Sequence, residues 1–212
     1  MLYIMRHGKT DWNELKKLQG QTDIPLNEEG RGQATAAGRE YAGIHLDICY
    51  CSTLGRARET ARLFFEARAL AKRKPGGSTA GDDGKNGDYE ENIPIIYDDR
   101  LREMGFGTYE GIERCFDIPD CPVNVFFKHP EEYDVPVKGG ESMDELFART
   151  GEFLKEKVYP ALKEGKDILI IGHGAMNSSI ICQVKNNSDR TRFWEVGIPN
   201  CKMIQVSGDE TR

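Results

Sequence analysis

Short apolar runs at residues 2–5, 46–51, 93–97, 168–171 and 202–206 alternate, for much of the chain, with longer stretches of helical periodicity. Residues 28–42 are rich in alanine and charge, and 56–71 carry apolar residues three and four apart. Residues 143–162 do the same after Ser142, whose pairing with Glu145 reads as a capping box. Strands alternating with helices predict an α/β fold: a three-layer α/β/α sandwich with a mainly parallel central sheet. The chain has 212 residues, 38% of them hydrophobic, which suffices for one domain over 1–212 with a substantial core but leaves little for a second.

Two segments break the pattern. Residues 72–92 mix Pro75, Gly76, Gly77, Gly81, Gly84 and Gly87 with lysine and aspartate and offer almost nothing to bury, so an exposed, mobile loop is expected there. The segment 112–140 has prolines at 119, 122, 130 and 136 and is expected to be irregular, with a short helix around 123–129. Such a segment between core elements forms a lid or a substrate wall.

The net charge of -6 argues against general attraction to nucleic acid or anionic membranes. The apolar residues before Arg6 are too few for a signal peptide or a membrane span, and a cytoplasmic location is expected. The six cysteines form no C-x-x-C pair and have no histidine at ligand spacing, so free thiols are expected and no metal. A phosphate site in an acidic protein must build its own positive field, which makes arginines beside histidines informative.

Arg6-His7-Gly8-Lys9-Thr10 begins where the first apolar run stops. In open α/β sheets ligands collect beyond the carboxyl ends of strands, so a guanidinium and an imidazole stand where a substrate would sit. Gly8 would let the backbone turn closely around a bound group. Gly172-His173-Gly174 repeats the arrangement after 168–171 and before a helical stretch at 175–184, leaving the N–H groups of Gly174 and Ala175 to face an anion. A third strand end carries Ser52, placed to start a helix, with Arg56 in its first turn, where a guanidinium can fork onto phosphate oxygens. Each histidine alone could be structural, and Arg56 and Arg58 could simply cover a solvent face; two histidines at equivalent strand ends are harder to dismiss.

These pieces resemble the histidine phosphatase superfamily, which includes cofactor-dependent phosphoglycerate mutases. The likeness extends through Thr10, Trp12, Asn13, Gln19-Gly20, Asp23, Pro25-Leu26, Gly30 and Gln33-Ala34, then through 101–111 around Glu103 and through Gly139-Gly140-Glu141-Ser142. It implies that His7 is the nucleophile accepting the phosphoryl group, that Arg6, Arg56 and His173 hold its oxygens, and that Glu103 is the proton donor and acceptor. Asn13 would add a hydrogen bond, and Gln19 and Gly20 would approach the substrate. The implied enzyme is a metal-independent phosphomonoesterase of the histidine acid phosphatase type, with no cofactor, acting on a small phosphorylated metabolite. The oligomeric state stays open, a homodimer included.

The chemistry asks for these types. A phosphoryl group in flight spreads charge over three equatorial oxygens, which fixed cations stabilise. Those same cations disfavour protonation of the attacking imidazole, while a poor alkoxide leaving group needs an acid. Glu103 could instead be a surface carboxylate paired with Arg100 or Arg102. Glu110 is open between a second site carboxylate and an anchor for its loop; Phe126, Phe127 and Tyr133 are open between lining a pocket and fixing their segment. His45 and His129 read as surface groups and Trp12 as packing for the loop. Lys9 stands where the family often has glutamate or glutamine, and a cation there would favour an anionic leaving group. Residues 112–138 contain one arginine, Arg114, where mutases carry a longer insertion with an arginine pair. Hydrolysis is therefore favoured over a mutase, and both over a phosphoester-binding domain without turnover.

Overall fold

The computed structural model describes residues 1–73, 92–133, 137–186 and 189–207. The loop expected at 72–92 falls, apart from its ends, outside the described residues. The elements run β1 (Leu2–Arg6), α1 (Asp11–Glu14), α2 (Glu28–Glu40), β2 (Ile48–Ser52), α3 (Gly55–Lys72), β3 (Ile95–Asp98), α4 (Val123–Lys128), α5 (Met143–Phe153), α6 (Tyr159–Lys163), β4 (Ile168–Gly172), α7 (Gly174–Val184) and β5 (Met203–Val206).

The strands form one sheet in the order β3-β2-β4-β1-β5. All neighbours are parallel except β5, which runs antiparallel to β1. Period-two alternation sorts the strand residues between two cores. Leu2, Ile4, Tyr50, Ile168 and Ile170 join the α5 and α7 side with Leu146, Phe153 and Ile180. Met5, Cys49, Cys51, Leu169 and Ile171 join the α2 and α3 side with Ala34, Ala37, Ala61 and Phe64. The sandwich expected from the sequence is thus present.

Ser142 caps α5 in a reciprocal box with Glu145, as its spacing predicts. The single helix expected over 143–162 is instead interrupted by a wider π-type turn at Leu154–Val158, directly before Pro160. Proline has no N–H to give to the carbonyl four residues back, and its ring crowds that carbonyl, so the ladder widens there. Of the segment 112–140, α4 forms where a short helix was expected, while 134–136 lie outside the described residues. Among the described residues no helix is long and apolar enough to cross a membrane.

Candidate active site

The register of β1 on β4 pairs Arg6 with Gly172, and β2 lies on the other side of β4. The carboxyl ends of three adjacent strands therefore deliver His7, His173 and Ser52 to one edge of the sheet. The rings of His7 and His173 lie 5.1 Å apart between centroids. Gly8 serves this packing rather than a ligand: a Cβ there would stand 2.5 Å from the carbonyl oxygen of Gly30, so the turn after His7 rests backbone to backbone on the start of α2.

His7 is 2% exposed. Its Nδ1 lies 2.7 Å from the Gly8 carbonyl oxygen. A carbonyl can only accept, so Nδ1 carries the hydrogen and a neutral ring keeps its lone pair on Nε2. Burial, then the charges of Arg56 and Arg6, hold His7 well below the ordinary imidazole value, and the Gly8 hydrogen bond opposes them. The His7 carbonyl is fixed by Asn200, whose side-chain amide donates to it at 2.7 Å.

His173 is fully buried and also held well below the ordinary value, by burial first and then by Arg56, His7 and Arg6. Its Nε2 pairs with the Ser52 hydroxyl at 2.8 Å, and its buried Nδ1 has no hydrogen-bond partner among the described residues. Ser52 is not the start of α3, as its sequence position suggests. Leu54 occupies the cap position, and Ser52 ends β2, accepting a hydrogen bond from the Leu54 N–H at 3.3 Å.

Arg56 lies in the first turn of α3, fully buried. It donates to the carbonyls of Thr22 at 2.9 Å and Gly20 at 2.7 Å. Burial lowers it to about 10, against which Glu103, Asp23 and Glu110 pull, so it stays a cation at neutral pH. Gly20 faces Glu110 as well as Arg56: with φ at 51°, its Cβ would fall 2.0 Å from a Glu110 carboxylate oxygen. Glu110 accepts from the N–H groups of Gln21, Thr22 and Phe106, and its Thr22 hydroxyl contact is very short. It anchors the 20–22 loop, which in turn holds Arg56.

Glu103 pairs with neither Arg100 nor Arg102. Its carboxylate accepts from the N–H groups of Gly174 at 2.9 Å, Ala175 at 3.4 Å and Met176 at 3.1 Å, and from Met104 at 3.0 Å. The amides of Gly174 and Ala175, expected to await a ligand anion, are thus turned to the chain's own carboxylate. A helix N-terminus attracts whichever anion lies nearest, and the turn after β3 puts Glu103 there.

Thr10 organises the opposite wall. The Asn13 side-chain oxygen accepts from the Thr10 N–H at 3.1 Å, which leaves the single Thr10 hydroxyl proton for the Gln19 oxygen at 3.0 Å. With both amide oxygens engaged, the NH2 groups of Asn13 and Gln19 remain to meet an anion.

Arg6, His7, Asn13, Gln19, Gly20, Arg56, Glu103, Gly174 and Ala175 all line one cavity of about 300 Å³. His173 does not, being fully buried beside the His7 ring. Trp12, Phe106, Phe127 and Trp194 add aromatic walls, and Lys16 and Lys17 stand in the same lining. Trp194 and the two lysines were missed in the sequence; no local motif marks them, since Trp194 reaches the cavity from nearly the other end of the chain. Phe127 lines the cavity, whereas Phe126 is buried among Phe106, Phe193, Trp194 and Tyr133 and fixes the segment. Lys9, expected beside the pocket, instead pairs with Glu29 at 2.7 Å and is absent from the lining. Helix α2 starts beside the turn after His7 and offers that carboxylate at its own N-terminus.

A larger groove of about 840 Å³ runs past Glu110, Glu141, Glu145 and Arg149, but no histidine, cysteine or serine nucleophile lines it among the described residues. Among the described residues the groups that could share a metal ion are His45 with Asp47 and Asp167, and His129 with Glu131 and Glu132. Neither lines the 300 Å³ cavity.

A family profile described as histidine phosphatase superfamily (branch 1) matches residues 2–74 and 87–212. The 2,3-bisphosphoglycerate-dependent phosphoglycerate mutase of Lactococcus lactis is 30% identical, over 99% of this chain and 92% of its own. Among solved structures, YhfR of Bacillus stearothermophilus superposes with a TM-score of 0.75 at 28% identity, covering 98% of this chain and 91% of its own. The phosphoserine phosphatase of Entamoeba histolytica, in complex with phosphoserine, gives 0.70 at 25% identity, over 95% and 87%.

Proposed function

Because this chain belongs to the histidine phosphatase superfamily, branch 1, we propose that it hydrolyses small phosphomonoesters without a metal ion, through a phosphohistidine on His7. One observation carries this reading: a buried, neutral imidazole whose Nδ1–H is tied to the Gly8 carbonyl, leaving Nε2 nucleophilic between two arginines. In the first step Nε2 bonds to phosphorus as the ester P–O bond breaks, and Glu103 gives its proton to the leaving oxygen. In the second, water attacks phosphorus, Glu103 takes its proton, and the P–N bond breaks to release phosphate and restore His7. Arg6, Arg56 and the NH2 groups of Asn13 and Gln19 stabilise the equatorial oxygens, while His173, outside the cavity lining, packs its ring against that of His7. A phosphoryl oxygen arriving on the Gly174 amide replaces Glu103 there and frees the carboxyl for the leaving oxygen.

The histidine acid phosphatase type expected from the sequence forms a different branch of the superfamily, and this chain matches branch 1. Phosphoglycerate mutase is the second reading, favoured by the Lactococcus relative. That alignment spans 236 positions against a chain of 212, so the mutase has segments this chain lacks. Arg114, in addition, turns onto Asp117 at the surface. A mutase must exclude water to keep its intermediate, whereas a hydrolase admits it. The six thiols are buried and free, as suits a reducing compartment such as the cytoplasm.

The test is phosphate release from a phosphomonoester panel with and without EDTA, with rapid-quench labelling. We expect turnover that survives chelator, an acid-labile phosphoprotein, and loss of both in His7→Ala. Interconversion of phosphoglycerates dependent on 2,3-bisphosphoglycerate and outpacing hydrolysis would replace this reading with the mutase. Tight phosphate binding without turnover would replace it with a binding domain.

A further inference from the structure

Above the catalytic floor the cavity changes character. Phe127 of α4 and Trp194, from the stretch before β5, lie nearly parallel, with an interplanar angle of 17° and centroids 5.5 Å apart. The Trp194 indole N–H is tied to the Phe126 carbonyl at 2.9 Å, which fixes the ring's orientation. Trp12 and Phe106 extend these walls. Such faces favour a flat ring, which they can meet by stacking or edge contact, over an aliphatic chain of equal size.

The same lining carries two cations that the phosphoryl chemistry does not use. Lys16 is held with φ at 52° and forms no ion pair among the described residues. Lys17 reaches only a loose contact of 3.8 Å with Glu113. The phosphoryl group has its own arginines on the floor, so these ammonium groups suit a second anionic group, carried by the part of the substrate that leaves. A cavity of about 300 Å³ holds a phosphate and one ring with such a substituent and little more.

We infer that the preferred substrates are phosphomonoesters whose leaving alcohol carries a single aromatic ring with a further anion, the ring received by Trp194, Phe127 and Trp12 and the anion by Lys16 and Lys17. This rests on the hydrolase reading and assigns its substrate class.

Three phosphates of primary alcohols, with similar leaving groups, separate the contributions. Benzyl against butyl phosphate reads the ring, and 4-carboxybenzyl against benzyl phosphate reads the charge. In the wild-type protein the ring is expected to lower KM about two- to tenfold. The carboxylate should lower it a further roughly two- to fivefold, an advantage that shrinks with added salt. Trp194→Leu should collapse the first ratio toward one, and the double variant Lys16→Gln/Lys17→Gln the second. Equal KM values for all three esters in the wild-type protein would overturn the inference while leaving the hydrolase reading intact, and so would ratios indifferent to these substitutions. No His7-dependent turnover of any of the three would instead sink the hydrolase reading, and this inference with it.

Discussion

The environment of His173 shows what a single residue's neighbours decide. Its place between two glycines at a strand end was legible in the sequence. Its partner was not, because Ser52 lies 121 residues away and the pairing depends on the register of β2 on β4. Local pattern offered Ser52 a cap position, a role the structure gives to Leu54. Ser52→Ala would leave a buried imidazole nitrogen without a partner, at a cost of about 1–3 kcal/mol. It would also free the ring to change tautomer beside the nucleophile. We expect a lower denaturation midpoint together with a fall in kcat of about tenfold or more. Steady-state kinetics and urea unfolding of the variant check this, and wild-type values in both would remove Ser52 from the account.

At the scale of elements, α5 steers the turn that carries Glu103. Arg149 donates to both carboxylate oxygens of Glu141, and to the carbonyls of Arg100, Arg102 and Glu103. Glu141 in turn accepts from the Gly105 N–H at 3.2 Å. The pair thereby grips the main chain on both sides of the proposed acid. The sequence disclosed α5 and its cap, since Ser142 and Glu145 act within one turn, but it could not disclose a contact between Arg149 and carbonyls some 47 residues earlier. Nor did apolar periodicity reveal the π-type turn before Pro160, because the spacing of side chains survives while the backbone ladder shifts. Arg149→Met would strand Glu141 and three carbonyls. Breaking a fully buried pair costs about 3–5 kcal/mol; here both partners keep some solvent contact, so about 2–3 kcal/mol is expected. The fall in kcat should exceed any change in KM, because the acid is displaced while the arginine cradle stays. Arg149→Lys should recover part of the stability but little of the rate, since an ammonium cannot span the same acceptors. Equal effects on kcat and KM would mean that α5 supports the fold without aiming Glu103.

For the whole molecule, alternation of strand and helix foretold the layers and the parallel core, and with them the strand ends where the site assembles. Pattern did not foretell the antiparallel β5: α7 carries the chain away from the carboxyl end of β4, but Asn200 bridges Arg6 back at that end, so the last strand starts there and runs beside β1 in the opposite sense. The closed core around the site has a consequence for the entire fold. His7 and His173 are both buried in neutral form, with proton affinities held well below the ordinary value of 6.5. As pH falls through 6.5 the unfolded chain therefore takes up protons at these two positions while the folded chain does not, so stability declines with falling pH. Each ring contributes a slope approaching about 1.4 kcal/mol per pH unit below that point, and together they should remove up to roughly 2.5 kcal/mol between pH 7 and pH 5.5. Carboxylates whose values are lowered in the fold, such as Asp98, lose their contribution only nearer the ordinary 3.8, below this window. Urea midpoints measured at both pH values should move in the wild-type protein and move much less in His7→Asn/His173→Asn, whatever the double variant's stability at pH 7. A wild-type midpoint that stays constant over that interval would mean that the two imidazoles take up protons inside the folded protein, and His7 would then not be the free base that phosphoryl transfer requires.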